Sequence, residues 1–139
     1  MLFLLDKSAH ELARRDPEAR RVFETMAITG VLATCAIVEL EVLYSARNPA
    51  DCRRLKTYLR EQCVWLETSD DTLSAAVDLQ ESMLAVGMHR KPIPDLIIAS
   101  VAQDHDAIVV HYDRDFDDIA TVATSLRTRW IIRPASPQK

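Results

Sequence analysis

Five short runs, apolar or largely so and spaced along the chain with helix-patterned stretches between them, leave few ways for this sequence to fold. Leu2–Leu5, Val31–Ala33, Val64–Leu66, Ala107–Val110 and Arg129–Ile132 are too short for buried helices and read as strands. Strands alternating with helices make a doubly wound, mainly parallel sheet with helices on both faces the economical architecture. Such strands are covered on both sides, so they need no polar alternation. At 139 residues the chain suits one domain over residues 1–139, with residues 134–139 as a mobile tail.

The stretches between the strands carry their own start and stop signals. Asp6, Lys7 and Ser8 close the first strand before a helix beginning around Ala9. Asp16 and Pro17 open a second helix that ends near Gly30. Thr34 is placed to cap a third, which runs to about Arg47 and is apolar on nearly every side, hence expected to be buried. Asn48 and Pro49 precede a basic helix over Ala50–Gln62. Ser69, Asp70 and Asp71 cap a long helix whose Leu73, Ala76, Val77, Leu79, Met83 and Leu84 are expected in the core. Gly87 ends it, and the basic loop MHRKPIPD leads into a further apolar helix from Asp95. Phe116, Ile119 and Val122 indicate a last short helix.

Several classes of function are excluded by what is missing. Only Gly30 and Gly87 are glycines, which rules out a dinucleotide fingerprint and a Walker A phosphate loop. Cys35, Cys52 and Cys63 are odd in number and contain no CxxC pair, against both a disulfide framework and a zinc motif. The start MLFLLDKSAH lacks the features of a signal peptide and no stretch is long enough to cross a membrane, so a reducing cytoplasm is the expected setting. A net charge of −4 provides no overall attraction for nucleic acid, and partners must be argued from sites.

The unusual feature is where the carboxylates fall. The strand AIVVH ends in Asp113, Asp115, Asp117 and Asp118, and the first strand ends in Asp6. Glu39 and Glu41 interrupt an otherwise apolar helix, where an ionised carboxylate needs a partner. For Glu39 solvent or an arginine such as Arg47 would serve. Asp95 heads another apolar helix and, taken singly, would be an ordinary N-cap, as would Asp6. Open parallel sheets bind ligands beyond the carboxyl ends of their strands. If the strands of Asp6 and Asp113 are neighbours at the switch point, several acids meet in one crevice and repel. A hard divalent cation with oxygen ligands resolves that repulsion, which points to a metal-dependent phosphodiesterase. His111 lies inside an apolar strand and reads as a core residue rather than a general base.

The segments LLDKSAH (4–10), TCAIVELEVLYSAR (34–47), IPDLIIASVA (93–102) and VVHYDRDFDDIA (109–120) together resemble the PIN-domain family, in particular the VapC-type toxins of toxin–antitoxin pairs. The resemblance implies a three-layer α/β/α PIN-like domain with a mainly parallel central sheet of four to five strands. It makes Asp6, Glu41, Asp95 and Asp113 the catalytic acids and the ligands of Mg²⁺, with Mn²⁺ an alternative, and so prefers Glu41 over Glu39. Ser8 and Asp115 become auxiliary residues, and Arg90, Lys91 and Arg114 flank the acids as candidate RNA contacts. Lys7 stands where Thr is more usual, and Ser45 where Gly is common.

By the same resemblance the expected activity is that of a toxin endoribonuclease acting on tRNA or rRNA. The protein would be a homodimer, inhibited by a cognate VapB-type antitoxin, and its products would carry 5′-phosphate and 3′-hydroxyl ends. The competing readings are an inert PIN-like interaction module and another Mg²⁺-dependent phosphodiesterase.

Overall fold

The computed structural model describes residues 1–134. Apart from Pro134, the tail expectation therefore lies outside the described residues. The chain runs β1 (Leu2–Leu5), α1 (Lys7–Arg15), α2 (Pro17–Thr29), β2 (Val31–Cys35), α3 (Ala36–Tyr44), α4 (Pro49–Gln62) and β3 (Val64–Leu66). It continues with α5 (Asp70–Ala85), α6 (Ile93–Asp104), β4 (Ile108–His111), α7 (Asp115–Val122) and β5 (Arg127–Trp130). The five strands form one parallel sheet in the order β3-β2-β1-β4-β5. The expected architecture is thus observed, with helices on both faces of the sheet.

The two faces carry separate cores. Leu4, Val109, Val38, Met83, Ile98 and Phe116 pack on one, and Phe3, Leu5, Val110, Phe23 and Met26 on the other. Alternate residues of the central strands therefore go to opposite layers, which explains their continuous apolar runs. Gly30 is required by close packing: a Cβ there would lie 2.6 Å from the Phe3 ring and 2.7 Å from the Met1 carbonyl oxygen.

Several local expectations are corrected. Thr34 does not cap α3 but lies inside β2, whose pairing with β3 extends through Cys35 opposite Leu66; Cys35 takes the cap position without a side-chain hydrogen bond. Helix α3 is not buried all round, since Tyr44 is 89% exposed and Leu40 is also open to solvent. In α5 only Ala76, Leu79 and Met83 of the predicted set are buried, while Leu73, Val77 and Leu84 are exposed. Those three form a neighbouring stripe, and one helix can turn only one stripe onto the sheet. The last strand is Arg127–Trp130, two residues earlier than expected, because β5 is an edge strand whose outer positions tolerate arginines. Its pairing continues beyond the strand, with Ile131 N donating to His111 O at 2.8 Å.

Candidate metal centre

The reversal of strand order lies between β1 and β4, and the acids gather at its carboxyl end. Asp6 follows β1 directly, and its backbone N–H donates to Val110 O at 2.9 Å, extending the β1–β4 ladder by one step. Its Oδ2 accepts from Ser8 N at 3.2 Å and Ser8 Oγ at 2.7 Å. Asp6 is therefore both the cap of α1 and a member of the acidic centre. Ser8 Oγ also accepts from Tyr112 N at 2.9 Å, so one hydroxyl ties together the ends of the two central strands.

Helix α3 contributes Glu41 and helix α6 contributes Asp95 from the covering layer. One oxygen each of Asp6, Glu41 and Asp95 lie within 4.8 Å of one another, and the same holds for Asp95, Asp113 and Asp115. The five carboxylates thus form two overlapping groups joined at Asp95. Asp95 is 4% exposed and sits in the first turn of α6 rather than at its cap, because the helix begins at Ile93 behind Pro92. Asp113 is held by the turn before α7: its Oδ1 accepts from Asp115 N at 2.9 Å, and its own N–H donates to His111 Nδ1 at 3.2 Å.

Electrostatics mark the same place. Burial, and then the charges of Asp6, Asp113, Glu41 and Asp115, push the Asp95 carboxyl up to about 8. Burial also raises Asp6 despite its bonds from Ser8. Glu41 is raised by burial and by Asp6, with the nearby Lys7 charge acting in the opposite sense. Asp95 Oδ2 and Glu41 Oε1 are buried without a hydrogen-bond partner among the described residues. Buried carboxylate oxygens of this kind call for a cation. An all-oxygen set of carboxylates fits a hard divalent ion such as Mg²⁺ or Mn²⁺.

The remaining candidates separate by their partners. Glu39 does not reach solvent or Arg47; it is buried and takes a two-pronged bond from Arg60, at 3.0 Å and 3.1 Å. That pairing leaves Glu41 as the acid of α3 that faces the centre. Lys91 Nζ bridges Asp115 at 3.1 Å and Asp118 at 2.6 Å, while Arg90 and Arg114 are exposed. His111 is fully buried between the rings of Phe116 and Trp130, and burial lowers it to about 4. It is neutral near pH 7 and serves by accepting the Asp113 amide, a role that no local sequence signal announced. The double duty of Ser8 was equally hidden, because Tyr112 lies 104 positions away.

The chain is similar to known proteins over nearly its whole length. The PIN domain family model matches residues 4–122. The chain is 41% identical over 135 residues to ribonuclease VapC21 of Mycobacterium tuberculosis, covering 96% of each protein. It is 37% identical over 130 residues to ribonuclease VapC51 of the same organism, covering 94% of this chain and 93% of that one. Among solved structures, VapBC2 from Rickettsia felis, bound to a DNA fragment from its promoter, superposes with a TM-score of 0.79 at 18% identity. That match covers 94% of this chain and 98% of the other. VapBC-5 from Mycobacterium tuberculosis gives a TM-score of 0.63 at 22% identity, covering 91% and 96%. Sequence agreement over nearly the whole length and a fold with its acids at the β1/β4 switch point lead to one conclusion: this chain belongs to the PIN-domain family, in its VapC branch.

Proposed function

We propose that this chain is the toxin of a toxin–antitoxin pair, a metal-dependent endoribonuclease that hydrolyses RNA phosphodiester bonds, with tRNA or rRNA as target. The observation that carries the reading is the convergence of five carboxylates on one crevice, with buried oxygens of Asp95 and Glu41 left unpartnered. Asp6, Glu41, Asp95 and Asp113 are the ligands of Mg²⁺ or Mn²⁺, and Asp115 supports them. The ion, when bound, supplies a water of lowered pKa and offsets charge on the scissile phosphate.

The chain's own groups act by placement. Ser8 orients Asp6 through two hydrogen bonds, and His111 orients Asp113 through its backbone amide. The apolar layer around Leu4, Val38 and Ile98 holds α3 and α6 against the strand ends. In this reading water is the attacking group and O3′ leaves, so the RNA 2′-hydroxyl is not needed and products carry 5′-phosphate and 3′-hydroxyl ends.

The partner we assign is a VapB-type antitoxin, supported by solved structures that carry VapBC in their names. A homodimer is supported by an apolar groove of about 290 Å³ between α5 and α6, lined by Leu73, Val77, Ile93 and Ile97. Among the described residues no helix is long and apolar enough to cross a membrane. Incubation of wild type, Asp6→Asn and Asp95→Asn with total RNA and Mn²⁺, followed by mapping of the ends, tests the reading. Loss of cleavage in both variants is expected; undiminished cleavage, or cyclic phosphate ends, would refute it.

A further inference from the structure

Beside the acidic centre lies a cleft of about 560 Å³, built by the loop from Gly87 to Pro92 and closed on one side by Asp115. That loop is held in shape at both ends. Gly87, at φ +74, ends α5 with its N–H on Leu84 O at 3.0 Å and the Met88 N–H on Met83 O at 2.8 Å. At the other end Asp95 N donates to Pro92 O at 3.0 Å. Between them Lys91 reaches Asp115 and Asp118, so its ammonium is spent on pinning the loop to the start of α7. A cleft formed by pinned backbone that ends in Pro92 is already shaped before a ligand arrives.

Two groups in the loop are left without an internal task. His89 Nδ1 is buried and has no hydrogen-bond partner, and Arg90 is exposed and makes no ion pair among the described residues. A buried polar atom without a partner favours a ligand that supplies one. Asp115 is shared with the Asp95–Asp113 group, which puts the cleft next to the position of the scissile phosphate. Single-stranded RNA is recognised by splaying out unstacked bases, which lie against histidine or arginine planes and hydrogen-bond through their edges.

We propose that this cleft binds one nucleobase of single-stranded RNA immediately flanking the cleaved bond. The half-buried ring of His89, which lines the cleft, reads the base edge and Arg90 holds the adjoining phosphate. Lys91 is a positioning residue that keeps the loop against α7. The proposal rests on the ribonuclease reading above and assigns the base specificity of that reaction to the loop before α6.

The test uses a random-sequence single-stranded RNA library cut with Mn²⁺, the new 5′ ends being sequenced for wild type, His89→Ala, His89→Gln and Arg90→Ala. Wild type is expected to prefer one base at a position next to the cut. His89→Ala is expected to weaken that preference on the order of tenfold, as for one lost hydrogen bond, with a smaller loss in total cleavage. His89→Gln, which retains a polar group, should shift the preferred base, and it carries the test alone if thermal melting shows the alanine variant unfolded. Arg90→Ala should raise KM and leave the preference intact. Cleavage by wild type with no base preference, or histidine variants whose profiles superimpose on it, would overturn the cleft assignment while the nuclease reading stands. Failure of wild type to cut any library member would overturn both.

Discussion

Replacing Asp95 with asparagine should make the metal-free protein more stable, by an amount that grows with pH. Asp95 sits within 4.8 Å of two carboxylates in each of its groups. A pair of unit charges at 4.8 Å repels by about 3 kcal/mol at an effective dielectric of about 20. The sign follows from proton counts. Without metal the folded chain keeps the Asp95 proton up to about 8, whereas the unfolded chain releases it near 3.8. The folded state therefore binds more protons across that window, and stability falls as pH rises, by up to about 1.4 kcal/mol per pH unit. The Asp95→Asn variant has no proton to lose at this position, so its advantage over wild type should widen by up to about 4 kcal/mol between pH 5 and pH 8. Neighbouring acids that share the load reduce this figure without reversing it.

Addition of metal should offset much of that advantage. At an ion concentration of a hundred times Kd, wild type gains about 2.7 kcal/mol, and the variant, lacking the ligand common to both groups, gains far less. Urea titrations followed by circular dichroism, with EDTA and then with Mn²⁺, read both effects. Parallel pH dependences for the two proteins, or equal stabilisation by Mn²⁺, would refute the reasoning.

Ser8→Ala removes the hydroxyl that links Asp6 to the Tyr112 amide, and should cost about 1–3 kcal/mol while weakening Mn²⁺ binding measured by calorimetry; Ser8→Thr should restore most of both. Gly30→Ala brings a Cβ to 2.6 Å from the Phe3 ring and 2.7 Å from a backbone carbonyl, and about 1–3 kcal/mol of destabilisation should appear as a lower Tm. Val77→Glu puts a charge into the apolar groove between α5 and α6, and light scattering coupled to gel filtration should show a larger monomer fraction. An unaltered mass would refute assignment of that groove to the dimer.

Strand and helix identity was legible because it depends on few neighbours. Four apolar runs became β1 to β4, and Asp16, Asn48 and Ser69 each accept a backbone N–H at the head of the helix they were expected to open. The acids of the centre were legible one at a time, as charges in apolar surroundings, and the family resemblance ordered them. Periodicity could not choose between Glu39 and Glu41, since both lie on α3; the bond from Arg60 to Glu39 and the closeness of Glu41 to Asp6 separate them. Nor could local pattern tell that Leu73, Val77 and Leu84 face outward, because an apolar stripe records affinity for a surface and not which surface is supplied.

The sequence by itself determined the kinds of element and the residue types able to bind a hard cation. Tertiary structure alone decided that β1 and β4 are neighbours, that Ser8 joins them, that Lys91 pins its loop to α7 and that Asp95 belongs to both acidic groups. The physical reason is range. Capping and periodicity act over a turn of chain, whereas the spacing of Asp6 and Asp113, more than a hundred residues apart, is set by strand order and by the packing of helices across the whole sheet.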